Sequence, residues 1–359
     1  MENFVRIKML TEKLSAKNGE CYFFTDRLNR RYFSGVDIAD GYLIVCDEFV
    51  YFTDARYYSA AKKTLDKLGI IAKLYKSTAD IRDYLRSRGI TSAYMDFSRT
   101  TLAEYAEYKM LFNVIEDCAP RLSSFREIKS EEELKSIKKA CKIAQRAVTD
   151  AFDFLTANIT ELEVKDFIEE RYKSLGASGA SFDTIVAFGK NSAVPHHETG
   201  KRRLKDGDVV LIDTGAKVDG YCSDITRTAF FGKPDKEFIK VYNAVLSANI
   251  KAEQGICAGI SGKDADKIAR EELKVFGYGE YFNHSLGHGV GLEIHESPRL
   301  SPSSETELKD GAVFTIEPGV YLDGKFGVRI EDTCVMQGGK AVRLFTDSKK
   351  LKIIKNKNF

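Results

Sequence analysis

A chain of 359 residues is longer than one hydrophobic core usually supports, so two domains are expected. Apolar residues at 43% and charged residues at 30% read as an ordinary soluble globular protein. The 55 basic residues nearly balance the 53 acidic ones, a net charge of +2, which excludes a general nucleic-acid or membrane-surface binder.

The opening stretch, MENFVRIKMLTEKLSAKNGE, has neither the apolar core nor the small-residue cleavage site of a secretory signal. No run approaches the roughly 18 apolar residues that span a bilayer. The cysteines at 21, 46, 118, 141, 222, 257 and 334 are odd in number, scattered and without a CxxC pair, which fits reduced thiols in a cytoplasmic compartment. Next come Tyr42 to Cys46 and Phe49 to Thr53, β-branched and aromatic runs around Asp47-Glu48 that predict a hairpin. ARYYSAAKKTLDKL and STADIRDYLRSR predict helices, and IIAKLY and AYMDF predict strands. Such alternation predicts an α/β domain with a partly parallel sheet over residues 1–120.

A linker is expected over 121–130, and then a helix starts. Ser130 followed by Glu133 forms a capping box, and Leu134, Ile137, Cys141, Ala144, Val148 and Leu155 follow at helical spacing. Within this second domain, 131–359, helices are expected at about 131–156, 161–175, 235–252 and 263–276. Pro234 suits a first turn, and Phe238, Val241, Tyr242 and Val245 share one face of the third helix. Glycine-punctuated strand pairs between these helices suggest an α+β architecture. The lysines of KKLKIIKNKNF read as a frayed, solvated tail.

The segment VVLIDTGAKVDGYCSDITRTAFF carries the most information. Asp219-Gly220 is a two-residue hairpin signal, since a type I′ turn needs positive φ at both centres. With that turn, Asp213 faces Thr226, and Asp224 lies on the same face, diagonal to Asp213 at roughly 7 Å between backbones. A slip of one residue would separate them. Asp213 ends the apolar run Val-Val-Leu-Ile, and a buried lone carboxylate costs several kcal/mol unless a partner or a metal compensates.

AVFTIEPGVYLDGKFGVRIEDT repeats the pattern. Glu317 closes the apolar strand from Ala312 to Ile316, Glu331 follows Gly-Val-Arg-Ile, and Asp323-Gly324 supplies the turn. Two hairpins are therefore expected to bring four carboxylates together, each from a strand-like segment. All five histidines, moreover, lie between His196 and His295. HSLGHGVGLEIHE contributes His284, His288 and His295, with glycines at 287, 289 and 291 that allow close backbone approach. Four carboxylates with one imidazole favour Mn²⁺, Fe²⁺, Co²⁺ or Zn²⁺. Their charge suits two such ions about 3.5–4 Å apart, sharing a bridging water or hydroxide.

These strings together resemble the pita-bread metallopeptidases, more narrowly the proline-specific branch of Xaa-Pro dipeptidases and Xaa-Pro aminopeptidases. NRRYFSGVDIADGYLIVCDEFVYFTDARYYSAA is similar to their creatinase-type N-terminal domain. The resemblance implies hydrolysis of the bond before proline by a metal-bridging hydroxide, with two divalent cations, Mn²⁺ foremost. It implies the ligands Asp213, Asp224, His288, Glu317 and Glu331, with Asp224 and Glu331 bridging. His196 matches the family's substrate-facing histidine. His284 and His295 match two further active-site histidines, and Arg329 the arginine before the last glutamate. From these matches Glu317 is expected to shuttle a proton and His196 and His295 to stabilise the oxyanion. His284 is expected to orient the substrate's carboxyl side, and Arg329 to position Glu331 or neighbouring acids. His197 is read as a packing or surface residue. A proline-containing peptide substrate and a homodimer are implied, with no nucleic-acid or membrane partner. Three competitors are a metal-free creatinase-like amidinohydrolase, a methionine aminopeptidase, and a non-catalytic binding module of the same fold. Retention of all five ligands disfavours the first and third, and the large front domain disfavours the second.

Overall fold

The structure, a computed structural model, describes residues 18–355, so the N-terminal signal reading concerns residues that lie largely outside it. The chain divides into two compact units between Ser124 and Phe125. In the first, β1 (Glu20–Phe24), α1 (Arg27–Ser34), β2 (Tyr42–Val45), β3 (Phe49–Thr53), α2 (Tyr58–Leu65), β4 (Ile71–Leu74), α3 (Thr78–Ser87), β5 (Ser92–Met95), α4 (Leu102–Tyr108) and β6 (Val114–Asp117) follow in order. The strands form one sheet, β4-β3-β2-β1-β5-β6, in which β1–β2–β3 is an antiparallel meander and the outer pairs are parallel. Phe23, Ile44, Val50, Phe52, Ile81, Leu85 and Met95 meet in its core. Capping boxes at Ser77 and Thr101 start α3 and α4. The expected α/β unit is therefore observed. The expected linker is instead largely helical: α5 (Ala119–Glu127) covers most of it. Asp117 accepts the Ala119 amide at 2.9 Å, and Pro120 falls in the first turn, where no intrahelical donor is required.

The second unit contains α6 (Glu131–Phe154), α7 (Glu161–Ser174), β7 (Gly179–Ala180), β8 (Ile185–Phe188), β9 (Val209–Thr214), β10 (Ala216–Val218), β11 (Tyr221–Cys222), β12 (Ile225–Phe231), α8 (Lys236–Gly255), α9 (Gly262–Val275), β13 (Gly287–Gly289), β14 (Glu296–Leu300), β15 (Val313–Ile316), β16 (Gly319–Leu322), β17 (Phe326–Arg329), β18 (Asp332–Gln337), β19 (Lys340–Arg343) and β20 (Lys352–Ile354). Two helix pairs cover the strands. Ile137, Ala144 and Ile168 of α6 and α7 pack with Val210, Ile212 and Phe231, while Phe238, Val245 and Leu273 of α8 and α9 pack with Phe314, Val320 and Ile330. The capping box at Ser130 is present, with both reciprocal bonds.

The two hairpins position the site. Asp219 and Gly220 have φ of 48° and 78°, as the turn chemistry requires. Val218 pairs with Tyr221, and the same register continues to Thr214 with Ile225 and Asp213 with Thr226. Between those pairings the strands leave one sheet for another, at Gly215 and at Ser223-Asp224. A Cβ on Gly215 would stand 1.8 Å from the Ser223 carbonyl oxygen, so only glycine lets the strands cross there. In the second hairpin Leu322 pairs with Phe326 around a three-residue turn with Gly324 at φ 70°, and Ile316 pairs with Asp332 beyond a similar break.

Three of the four acids therefore depart from expectation. Only Asp213 lies within a strand, whereas Asp224, Glu317 and Glu331 occupy the breaks. At each break the residue's amide turns to a different strand or loop: Asp224 N to Thr333 Oγ1 at 3.2 Å, Glu317 N to Leu286 O at 2.8 Å, and Glu331 N to Thr226 O at 3.1 Å. The tail reading is also corrected. β20 pairs in parallel with β12, Ile353 opposite Phe230, because burying Ile354 in the core outweighs the solvation of its lysine neighbours; residues 356–359 lie outside the described part. Among the described residues no helix is long and apolar enough to cross a membrane.

Candidate metal centre

All nine residues singled out from the sequence line one cleft of about 290 Å³: His196, Asp213, Asp224, His284, His288, His295, Glu317, Arg329 and Glu331. Asp224, His288 and Glu331 each offer a ligating atom within 4.8 Å of the other two. His288 Nε2 stands 3.5 Å from Asp224 Oδ2 and 3.4 Å from Glu317 Oε1.

The electrostatics are those of a set lacking its counter-charge. Burial, then Glu331, Asp213 and Glu317, push the Asp224 carboxyl well above its usual range. Burial, then Glu317 and Asp213, do the same to Glu331. Burial likewise pushes Glu317 up to about 8, against the opposing pull of Arg329. His288 is driven down to about 4, first by burial and then by His295, so its ring is neutral. Its Nδ1 donates to Gly289 O at 3.1 Å, which leaves a lone pair on Nε2 directed at two carboxylates. Lone pair and anions repel unless something positive stands between them. Asp213 Oδ1 and Asp224 Oδ1 are buried without a hydrogen-bond partner, an expense that proteins seldom leave uncompensated. The residues present therefore fit a divalent cation.

Around this set the other groups are fixed by hydrogen bonds. Arg329 donates from Nη2 to Asp213 Oδ2 at 2.6 Å and from Nε to Thr226 Oγ1 at 3.0 Å, and Thr226 Oγ1 donates to Glu331 Oε2 at 2.6 Å. Arg329 therefore holds Asp213 directly and reaches Glu331 only through a hydroxyl. The expected role of His284 is not supported by its bonding. Its Nδ1 donates to Ser285 O at 2.8 Å, and its Nε2 accepts from Tyr321 OH at 3.0 Å. Both nitrogens are committed, and burial and Arg329 lower its pKa to about 3, so it offers neither charge nor a free N–H to a substrate carboxylate. His295 packs its ring against His288 at 4.3 Å between centroids, and its pKa is lowered by burial and then by Arg299.

Sequence reasoning missed three participants. Tyr321 OH accepts from Arg329 Nη1 at 2.6 Å and joins that guanidinium to His284; in sequence it is only one aromatic residue of an apolar strand. Arg299, paired in register with His288, lines the cleft and forms no ion pair among the described residues. Phe182, Ile185 and Ile294 supply an apolar wall. His197 lies outside the cleft and bonds buried Glu161 at 3.0 Å.

Comparison with known proteins places nearly the whole chain in one family. Residues 135–337 match metallopeptidase family M24, and residues 6–128 match the creatinase/prolidase N-terminal domain. An Xaa-Pro dipeptidase of Pyrococcus furiosus is 38% identical over 354 residues, spanning 96% of this chain and 99% of that protein. An Xaa-Pro dipeptidase from Bacillus anthracis superposes with a TM-score of 0.92 at 33% identity, covering 98% of this chain and 99% of the other. An X-Pro aminopeptidase from Thermotoga maritima superposes with a TM-score of 0.87 at 33% identity, covering 93% and 98%.

Proposed function

The chain belongs to metallopeptidase family M24, with a creatinase-type domain ahead of its pita-bread domain, and from that premise we propose that it is a metal-dependent Xaa-Pro dipeptidase. The cleft itself is the observation that carries this reading: it is lined by uncompensated carboxylates and by Arg299, a cation with no ion pair among the described residues. Asp213, Asp224, His288, Glu317 and Glu331 would hold two divalent cations, Mn²⁺ first among them. Those ions would supply Lewis-acid activation of water and of the scissile carbonyl.

The chain's own residues do the rest. Hydrolysis adds hydroxyl to the carbonyl carbon and a proton to the departing imino nitrogen. Glu317, which lines the cleft with Oε1 3.4 Å from His288 Nε2, is the group assigned to carry that proton. His196 and His295 are exposed at the cleft and present ring N–H groups to the oxyanion. Arg329 keeps Asp213 and, through Thr226, Glu331 in place. The apolar wall suits a proline ring, which brings no N–H of its own. Arg299 replaces His284 as the partner of the substrate's carboxylate, which favours a dipeptide over a longer peptide. A homodimer, as the resemblance implies, and a cytoplasmic location, as the scattered reduced cysteines suggest, complete the reading.

The test strips the purified protein of metal, reloads it with Mn²⁺, and compares Ala-Pro, Ala-Pro-amide and Ala-Ala. Mn²⁺-dependent cleavage of Ala-Pro and not Ala-Ala is expected. Arg299→Met should raise KM for Ala-Pro about 10- to 100-fold, the worth of one charge-assisted bond, and leave Ala-Pro-amide unaffected. Undiminished cleavage after chelation would sink the metal-dependent reading, and equal losses on both proline substrates would sink the role of Arg299.

A further inference from the structure

Glu161, the first residue of α7, is completely buried. Its Oε1 accepts from Phe188 N at 2.8 Å and Asn191 Nδ2 at 2.9 Å. Its Oε2 accepts from His197 Nε2 at 3.0 Å and Gly200 N at 3.1 Å. All four donors belong to residues 188–200, the segment that carries His196. That segment has little regular structure of its own beyond a short 3₁₀ turn over Gly189–Ala193.

His196 is exposed, and no hydrogen bond joins its ring to a described residue. Where the ring points is therefore decided by the backbone on either side. On one side Pro195 O accepts a 3.4 Å bond from Arg329 Nη1, and on the other His197 is tied to Glu161. A buried carboxylate is an expensive way to fill space, and an apolar side chain would pack there at lower cost. What the carboxylate does that an apolar group cannot is gather donors from four points of one irregular segment, two of them backbone amides.

We infer that Glu161 and His197 are positioning residues: the carboxylate anchors residues 188–200 through four bonds, and the His197 bond fixes the orientation of its neighbour His196 toward the substrate. The inference rests on the substrate-facing role proposed for His196. It gives His197 a defined task where packing alone was expected.

The experiment compares His197→Leu, which removes the donor, with His197→Gln, whose amide reaches a similar distance and restores it. Each is measured alone and combined with His196→Ala, recording kcat and KM on Ala-Pro, manganese content and Tm. His197→Leu should lower kcat on the order of 10- to 100-fold with manganese content unchanged, the cost of an ångström-scale misplacement. His197→Gln should recover most of that loss. With His196 already replaced, the Leu substitution should cost less than about 2-fold, since the two residues act as one unit. Equal impairment of the Leu and Gln variants overturns the inference, as does an undiminished Leu effect in the His196→Ala background. Should His197→Leu fail to fold, Glu161→Gln, which places a donor against two donors, is carried through the same cycle with the same criteria. A His196→Ala enzyme with normal kcat would instead remove the role of His196, and the inference with it.

Discussion

Glu331 and Asp332 are consecutive and almost equally buried, at 2% and 1% exposure, yet their carboxyls are driven in opposite directions. Glu331 lines the cleft among other acids, and burial and those neighbours push it well above its usual range. For Asp332 burial also acts upward, but Arg227, Lys349 and Arg343 outweigh it and hold the carboxyl below its ordinary value. Behind the cleft the charges balance: Arg227, Arg343 and Lys349 face Asp332, Asp347 and Glu253, with Arg227 at 2.7 Å from Asp332. In the cleft four acids share one directly bonded guanidinium, that of Arg329. Burial pushes both carboxyls upward, so it does not decide the difference between them. The sign of the neighbours does, and on the cleft side the chain leaves the compensation to a ligand.

The contrast breaks most completely at Asp224→Asn. Manganese content and turnover should fall to background, while the metal-free variant melts at a higher temperature than metal-free wild type, because the penalty on burying that acid among three others is gone. A lower Tm for that variant would mean that the acids do not oppose one another. Asp332→Asn should do the reverse. Arg227, Lys349 and Arg343 would lose the buried partner they share, Arg227 keeping Asp347, at a cost of about 3–5 kcal/mol in denaturant unfolding, with manganese per folded molecule unchanged.

The smallest expected effect is a pH dependence of the metal-free protein. Glu317 titrates at about 8 in the fold against an ordinary 4.5, so its contribution is complete below 4.5 and is lost as pH rises through 8. His284 and His288, held at about 3 and about 4 against an ordinary 6.5, contribute above 6.5 and lose that contribution as pH falls through their folded values. Asp224 and Glu331, also held above their ordinary range, act in the same direction as Glu317, and the histidine arm is flat above 6.5, so thermal stability after chelation should fall as pH rises above 6.5. The manganese-loaded protein should not decline above that point. Parallel curves for the two forms would refute the assignment of Glu317 to the cation site.

What could be read in the sequence was what local chemistry decides. Asp219-Gly220 fixed a register that places Asp213 opposite Thr226 across a sheet break, and Ser130 with Glu133 marked the start of α6. The acids were found, but not the reason they converge: Asp224, Glu317 and Glu331 stand where strands exchange one sheet for another, and that exchange depends on pairing with segments far along the chain. For the same reason Ile354 looked like part of a loose tail until β12 was seen beside it. Tyr321, Arg299 and Glu161 went unnoticed because each acts through one distant contact and leaves no periodic or spaced signal.

The amides of Asp224, Glu317 and Glu331 are bonded to Thr333, Leu286 and Thr226, not to anything an ion supplies. The protein's own backbone thus sets the shape of the receptacle in advance. Unlike a zinc finger, whose chain collapses when its ion departs, this fold does not depend on an ion for the shape of its site, so a bound ion would be exchangeable with the fold intact. Its occupancy would then follow the ionic composition of the surrounding medium, and a change in supply would alter the catalyst within the lifetime of a single molecule.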